Sequence, residues 1–426
     1  MRVLYWEQRV ETLPPEEIQA IQLERLKTVV KRAYENTIFY RKKFDQAKVK
    51  PEDIQALADL QKLPLTHYLK DFAASPLEEK VAVPWESVTE IMTTSGTISG
   101  FTLPIALTDR DMEESFNIVA RTCRMAGVRP DDIVQLLLPW DVSVPMFKKL
   151  SARVISSMAG RMILDYQIEL ARLLKSTVVF AMPSYVLRFI SRAKEMGIDL
   201  KRDTSLRLAI LGGEPLADAI KRAVEEETGI ALYELYGFAE ASGIGGECIA
   251  RKGLHIWADH YLLEVIDPES LQTLGPGEEG ELVVTALTKE AMPLIRYRTG
   301  DLTRFLDESI CECGRTHPRI APVRGRIYHR FEVQGTTLLP SDIENIVLAI
   351  PGLSGEFRIH IGEGGHSDRL KIVAEHAPGV LDIESLQVNV EATFKNRLGL
   401  DCQLELVPRG ALPQTQFKAQ RIVRGS

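Results

Sequence analysis

Residues 178–215, "VVFAMPSYVLRFISRAKEMGIDLKRDTSLRLAILGGEP", decide the fold. Two short apolar runs, 178–183 and 206–213, flank a segment, "YVLRFISRAKEM" (185–196), whose apolar residues recur at helical spacing. Strand, helix, strand at this rhythm is the unit of a parallel sheet covered by helices. The pattern extends both ways: "IVQLLLP" (133–139), "RMILD" (161–165) and "ALYELYG" (231–237) read as further buried strands, and "LADAIKRAVEEET" (216–228) as another helix. Ligands of such sheets sit beyond the carboxyl ends of the strands. "LGGEP" (211–215) and "YGFAE" (236–240) stand at such ends.

Outside this region the rhythm changes. "PPEEIQAIQLERLKTVVKRAYEN" (14–36) spaces Ile18, Ile21, Leu26, Val29, Val30 and Ala33 as one face of an amphipathic helix. After Leu254, "HYLLEVID", "GELVVTAL" and "LTRFL" read as strands joined by turn-rich pieces, which implies an antiparallel region. Beyond "VRGRIYHRF" (323–331), the runs "LPSDIENIVLAI", "FRIHIG", "DRLKIVAEH" and "IESLQVNVEATFKNRL" suggest a small α+β domain. The expectation is an α/β protein in two parts. Residues 1–325 form a large N-terminal domain with parallel and mixed β-sheets flanked by helices plus an antiparallel β region, and residues 326–426 a small, mobile α+β C-terminal domain.

Composition narrows the function. A chain of 426 residues, 45% hydrophobic and 26% charged, with a net charge of −7, is that of an ordinary soluble protein. The acidic balance argues against nucleic acid as the main partner, since phosphate binding wants a basic surface. No apolar run approaches 18 residues and the start turns acidic early, so neither a membrane span nor a secretory signal is expected and the default location is cytoplasmic. Five cysteines, Cys123, Cys248, Cys311, Cys313 and Cys402, do not suggest a disulfide framework. A homodimer is left open.

The stretch "TTSGTISGFT" (93–102) is rich in hydroxyls and glycine, which suits a backbone wrapped around a phosphate, although it carries no lysine. Taken singly, this loop, "LGGEP", "YGFAE", "YRTGDL" (297–302) and "GR" (325–326) are weak signals. Their order ahead of a separate terminal domain resembles that of the adenylate-forming superfamily of acyl-CoA synthetases, peptide synthetase adenylation domains and luciferases. "KGLHIWADHYLLEVIDPES", "GEEGELVVTALTKEAMPLIRYRTGDLTRF" and "CECGRTHPRI" are similar to its phenylacetate-CoA ligase branch over long stretches.

The resemblance implies a two-step ligase reaction. A carboxylate attacks the α-phosphorus of ATP to give an acyl-adenylate and pyrophosphate, and a thiol, that of coenzyme A, then displaces AMP. It implies that Thr94, Ser95, Gly96 and Thr97 hold the β- and γ-phosphates, that Gly213, Glu214 and Pro215 line the adenine, and that Tyr236, followed by Gly237, stacks on the base. Glu234 would accept from the adenine amino group, and Glu240 would hold Mg2+, a hard cation that prefers carboxylate oxygen. Asp301 would accept from the ribose hydroxyls with Arg326 as a donor beside it. Lys418, in "LPQTQFKAQRIV" (412–423), would reach the α-phosphate from the mobile domain and leave for the second step. Trp140, Val142, Phe238 and Ala239 would wall the pocket of a small, aromatic carboxylic acid.

The chain departs from the family pattern in places. After "TSGT" the usual Thr-Gly-Lys-Pro is Ile98, Ser99, Gly100 and Phe101; Tyr328 stands at the hinge, Ala239 replaces a hydroxyl residue, and Phe417 replaces a glycine. These changes keep open an enzyme that passes its adenylate to an amine or another nucleophile, and a catalytically degenerate nucleotide-binding relative. Separately, Cys248, His255, Cys311 and Cys313 form a candidate structural zinc site, with His260 or His317 as alternatives for the fourth ligand, because thiolate and imidazole are the donors zinc prefers.

Overall fold

Strand–helix alternation across residues 133–238 builds an eight-stranded sheet in the computed structural model, which describes residues 4–94, 102–137, 144–156, 163–307, 310–362, 366–367, 369–413 and 421–424. Its order is Arg319–Ile320, Leu254–Ile256, Ser242–Glu247, Ala231–Phe238, Leu208–Gly212, Val178–Ala181, Ile133–Leu136, Arg153–Ile155. The strands from Ala231–Phe238 to Arg153–Ile155 are parallel, and antiparallel pairs extend the other edge. The central strands are buried along their length, which is why they read as continuous apolar runs.

Two expected strands are corrected. Leu164 and Asp165 of "RMILD" open the helix Leu164–Leu173, and the neighbouring strand is Arg153–Ile155. A short apolar run does not distinguish a buried strand from the first turn of a helix, and here Ile168 and Ala171 carry the apolar face onward. In "LTRFL", Leu302 and Thr303 end the ten-residue strand Leu294–Thr303, whereas Phe305 makes a single bridge to Ile320. Gly300, at φ +75°, lets the chain bulge through "RTGD" without leaving the sheet.

That strand belongs to a second sheet ordered Thr66–His67, Leu294–Thr303, Gly280–Ala286, Tyr261–Ile266. Its Gly280–Ala286 strand is antiparallel to both neighbours, as expected of this region. A hairpin, Glu90–Thr93 with Pro104–Leu107, stands apart from both sheets. The helix Asp109–Ala126 starts at a capping box in which Thr108 and Asp111 satisfy each other's backbone N–H. It packs on Ser242–Glu247, where a Cβ on Gly243 would lie 2.6 Å from Val119 Cγ2, so the glycine lets helix and strand approach.

The chain groups into two compact units. The first comprises Met1–Met182, Ser191–Gly213 and Ile230–Val323, and the second Pro183–Ile190, Glu214–Gly229 and Arg324–Ser426. The second unit has its own core, built around Phe357, Ile359, Ile372, Val390 and Phe394. Its four-stranded sheet runs Cys402–Pro408, Leu370–His376, Leu353–Ile361, Ile422–Arg424, with helices Pro340–Val347 and Ile383–Leu398, an α+β arrangement. Among the described residues no helix is long and apolar enough to cross a membrane.

Candidate active site

The parallel strands Leu208–Gly212 and Ala231–Phe238 end side by side, and the second finishes in Tyr236, Gly237 and Phe238 before a turn that carries Ala239 and Glu240. Gly237 is required there, because a Cβ would sit 2.2 Å from the carbonyl oxygen of Ser242. From the second sheet, strand Leu294–Thr303 meets this segment twice. The hydroxyl of Tyr236 donates to Asp301 Oδ2 at 2.7 Å, and the hydroxyl of Tyr297 donates to Glu240 Oε1 at 3.0 Å. All four residues are buried. The ring of Tyr297 stacks on Phe238 with centroids 5.7 Å apart, and Phe72 and Tyr68 meet it edge-on.

Each bond fixes one oxygen of a carboxylate. A buried carboxylate oriented in this way meets a hydroxyl or a cation without first having to be turned. Tyr297 escaped the sequence reading. It lies four residues before Asp301 on the same strand, and only the meeting of the two sheets brings it to Glu240.

The other expected residues are distributed as follows. Thr94 closes the hairpin Glu90–Thr93/Pro104–Leu107, its Oγ1 accepting from Leu103 N at 2.9 Å. Gly213 follows the strand Leu208–Gly212 at φ +87°. Glu234 is half-buried, and its backbone N–H donates to Glu247 Oε2 at 2.8 Å. Glu214, Pro215 and Arg326 belong to the second unit, where Glu214 Oε2 accepts from Ser184 N at 3.0 Å. Ser95, Gly96, Thr97, Trp140, Val142 and Lys418 lie outside the described residues.

The cysteine cluster assembles in the first unit. One donor atom from each of Cys248, His255, Cys311 and Cys313 lies within 4.8 Å of the other three, and all four residues are buried. Cys248 Sγ is 3.6 Å from Cys311 Sγ, and Cys313 Sγ is 3.4 Å from His255 Nε2. Thiolates about 2.3 Å from a shared tetrahedral zinc would lie roughly 3.8 Å apart, so the donor set fits that ion. His255 Nδ1 is 3.2 Å from the carbonyl oxygen of His317, an arrangement that leaves Nε2 as the ligand atom. The two alternative histidines are otherwise engaged. His317 Nδ1 accepts from Ala258 N and its Nε2 meets Val10 O, while His260 meets Thr288 Oγ1 and Asp259.

Comparison with known proteins adds to this geometry. The family profile described as AMP-binding enzyme matches residues 11–287, and that of the AMP-binding enzyme C-terminal domain matches residues 335–424. The chain is 34% identical to the phenylacetate-coenzyme A ligase of Aromatoleum evansii, over 97% of this chain and 96% of that protein. It is 33% identical to the phenylacetate-coenzyme A ligase of Escherichia coli K12, over 97% and 96% respectively. Among solved structures it is similar to 2-hydroxyisobutyryl-CoA ligase in the postadenylation state in complex with R3-HIB-AMP, with a TM-score of 0.88 and 25% identity, covering 99% of this chain and 92% of that one.

Proposed function

The chain belongs to the AMP-binding enzyme family, and on that premise we propose that it activates an aromatic carboxylic acid with ATP and passes the acyl group to coenzyme A. It is an AMP-forming acid–thiol ligase. In the first half-reaction a carboxylate oxygen of the acid bonds to the α-phosphorus as the bond to pyrophosphate breaks. In the second, the thiol sulfur bonds to the acyl carbon, AMP leaves with the electron pair, and the thiol loses its proton.

The observation that carries the residue assignments is the pair of buried contacts Tyr236–Asp301 and Tyr297–Glu240 at the carboxyl ends of the parallel strands. Asp301, oriented by Tyr236, is suited to accept from the ribose hydroxyls, and Glu240 to hold Mg2+, which would offset the charge of the phosphates. The adenine wall is assigned to Gly213, Glu214, Pro215 and Tyr236, and the acyl pocket to Trp140, Val142, Phe238 and Ala239. In this reading residues 326–426 move as a small domain that brings Lys418 to the α-phosphate for adenylation, and the protein works in the cytoplasm. Zinc at Cys248, His255, Cys311 and Cys313 is structural, since four protein donors leave no open position for chemistry.

ATP–pyrophosphate exchange across a panel of aryl and aliphatic acids, with Asp301→Ala as control, tests the reading. Exchange driven by aryl acids and lost in the control is expected. Exchange with aliphatic acids alone would remove the aromatic substrate, and exchange with none would remove the adenylation.

A further inference from the structure

Strand Leu294–Thr303 is bulged on both sides of Tyr297. On the neighbouring strand Ala286 faces Leu294 and Val284 faces Tyr297, so the single residue Thr285 is opposed by two, Ile295 and Arg296. Beyond Tyr297 the register slips again between the partners of Val283 and Glu281, through the stretch that holds Gly300. Both irregular stretches are firmly held. Ile295 N donates to the hydroxyl of Tyr40 and Ile295 O accepts from Thr66 Oγ1, each at 2.9 Å, and Arg296 N donates to Thr285 Oγ1 at 2.9 Å. On the far side, Gly300 N donates to Glu281 Oε1 at 3.0 Å and Arg298 pairs with Glu281 Oε2.

The two bulges differ in the residue that turns the backbone. Gly300 adopts a positive φ without strain, whereas Arg296 stands at φ +44°, where the Cβ of an L-residue is crowded. Its side chain accounts for the choice. Nε and Nη2 donate to the two oxygens of Glu264 at 3.0 and 2.8 Å, and Nη1 donates to Leu63 O at 2.6 Å and to Gln61 O at 3.2 Å. Arg296 and Glu264 are both buried, and a two-pronged guanidinium–carboxylate pair fixes direction as well as distance. A glycine would relieve the crowding and lose this anchor.

What the bulge changes is the face to which the next side chain points. Side chains alternate along a strand, so one inserted residue turns every later one over. The next residue is Tyr297, whose hydroxyl donates to Glu240. We infer that Arg296, locked by Glu264, is a positioning residue for adenylation: it holds the strained bulge that aims Tyr297 at the carboxylate assigned to Mg2+. The inference rests on the magnesium reading of Glu240 and adds to it a pair of residues that act through Tyr297.

ATP–pyrophosphate exchange titrated with magnesium, alongside thermal unfolding, tests it on the parent chain, Glu264→Gln, Arg296→Lys, Tyr297→Phe and the double variant Glu264→Gln/Tyr297→Phe. Glutamine keeps the size of Glu264 and one acceptor, so the fold should survive. Misaiming the Tyr297 hydroxyl should raise the magnesium concentration for half-maximal exchange about threefold to tenfold in Glu264→Gln, with a smaller rise in Arg296→Lys, which keeps the charge but not the fork. The double variant should match Tyr297→Phe within about twofold, because the pair then has no hydroxyl to aim. A lower melting temperature with the parent's magnesium requirement would make the pair structural only and overturn the inference, as would rises that multiply in the double variant or the failure of both Glu264→Gln and Arg296→Lys to fold. A parent chain whose exchange needs no magnesium, or that catalyses none, would instead overturn the magnesium reading of Glu240, and the inference with it.

Discussion

Stripping metal from the Cys248–His255–Cys311–Cys313 cluster should loosen the amino-terminal segment as well as the cluster. The contact between Cys248 and Cys313 pulls the Cys313 thiol well below its ordinary value and pushes the Cys248 thiol up, so Cys248 keeps its proton unless a cation takes its place. The knuckle that carries Cys311 and Cys313 continues into Arg315, Thr316 and His317, and each of these holds the start of the chain. Arg315 Nε donates to Glu11 Oε2 at 2.7 Å within a fully buried pair, Thr316 Oγ1 donates to Leu13 O at 2.6 Å, and His317 Nε2 lies 3.0 Å from Val10 O. Tyr5 donates to Cys313 O at 2.9 Å, and Glu11 Oε1 also accepts from Trp6 N and Glu7 N. Breaking a buried ion pair costs about 3–5 kcal/mol and each lost hydrogen bond about 1 kcal/mol. Metal loss should therefore destabilise the first unit by roughly 5 kcal/mol or more, a fall in melting temperature on the order of 10 °C. The assay is elemental analysis of protein purified without added metal, followed by chelation with thermal unfolding and limited proteolysis. About one zinc per chain is expected from a single four-donor site, together with new cleavage near residues 4–13 after chelation; Cys248→Ser should reproduce the effect and Cys402→Ser should not. A metal-free protein with the parent's melting temperature and an uncut amino terminus would refute the reasoning.

Tyr297→Phe keeps the ring on Phe238 but deletes the donor to Glu240. The loss of about 1.5–3 kcal/mol expected for a bond to a charged group should slow exchange about tenfold to a hundredfold and raise the magnesium requirement, and an unchanged magnesium dependence would exclude the positioning role. Burial holds His260 at about 4, below its ordinary 6.5. The folded state therefore binds fewer protons than the unfolded chain between these values, and stability should fall by up to roughly 3 kcal/mol as pH drops from about 6.5 to about 4. Urea unfolding across that range measures this slope, and the reasoning fails if His260→Gln leaves it unaltered.

The sequence alone determined the parallel sheet, because strands buried on both faces must be apolar throughout while the helices between them keep a 3.6-residue period. It nominated Tyr236, Glu240 and Asp301 through the resemblance of motif order to a known family, and the cysteine cluster through residue types that suit a metal. It failed at "RMILD" and at "LTRFL", where the local pattern fits two structures and packing selects one. Only the tertiary structure joined Tyr236 to Asp301 across 65 residues and Tyr297 to Glu240 across 57, and grouped His255 rather than His260 or His317 with the three cysteines. These are relations between the ends of two sheets. No periodicity along the chain encodes them, because a side chain's partner depends on which strand ends meet in space.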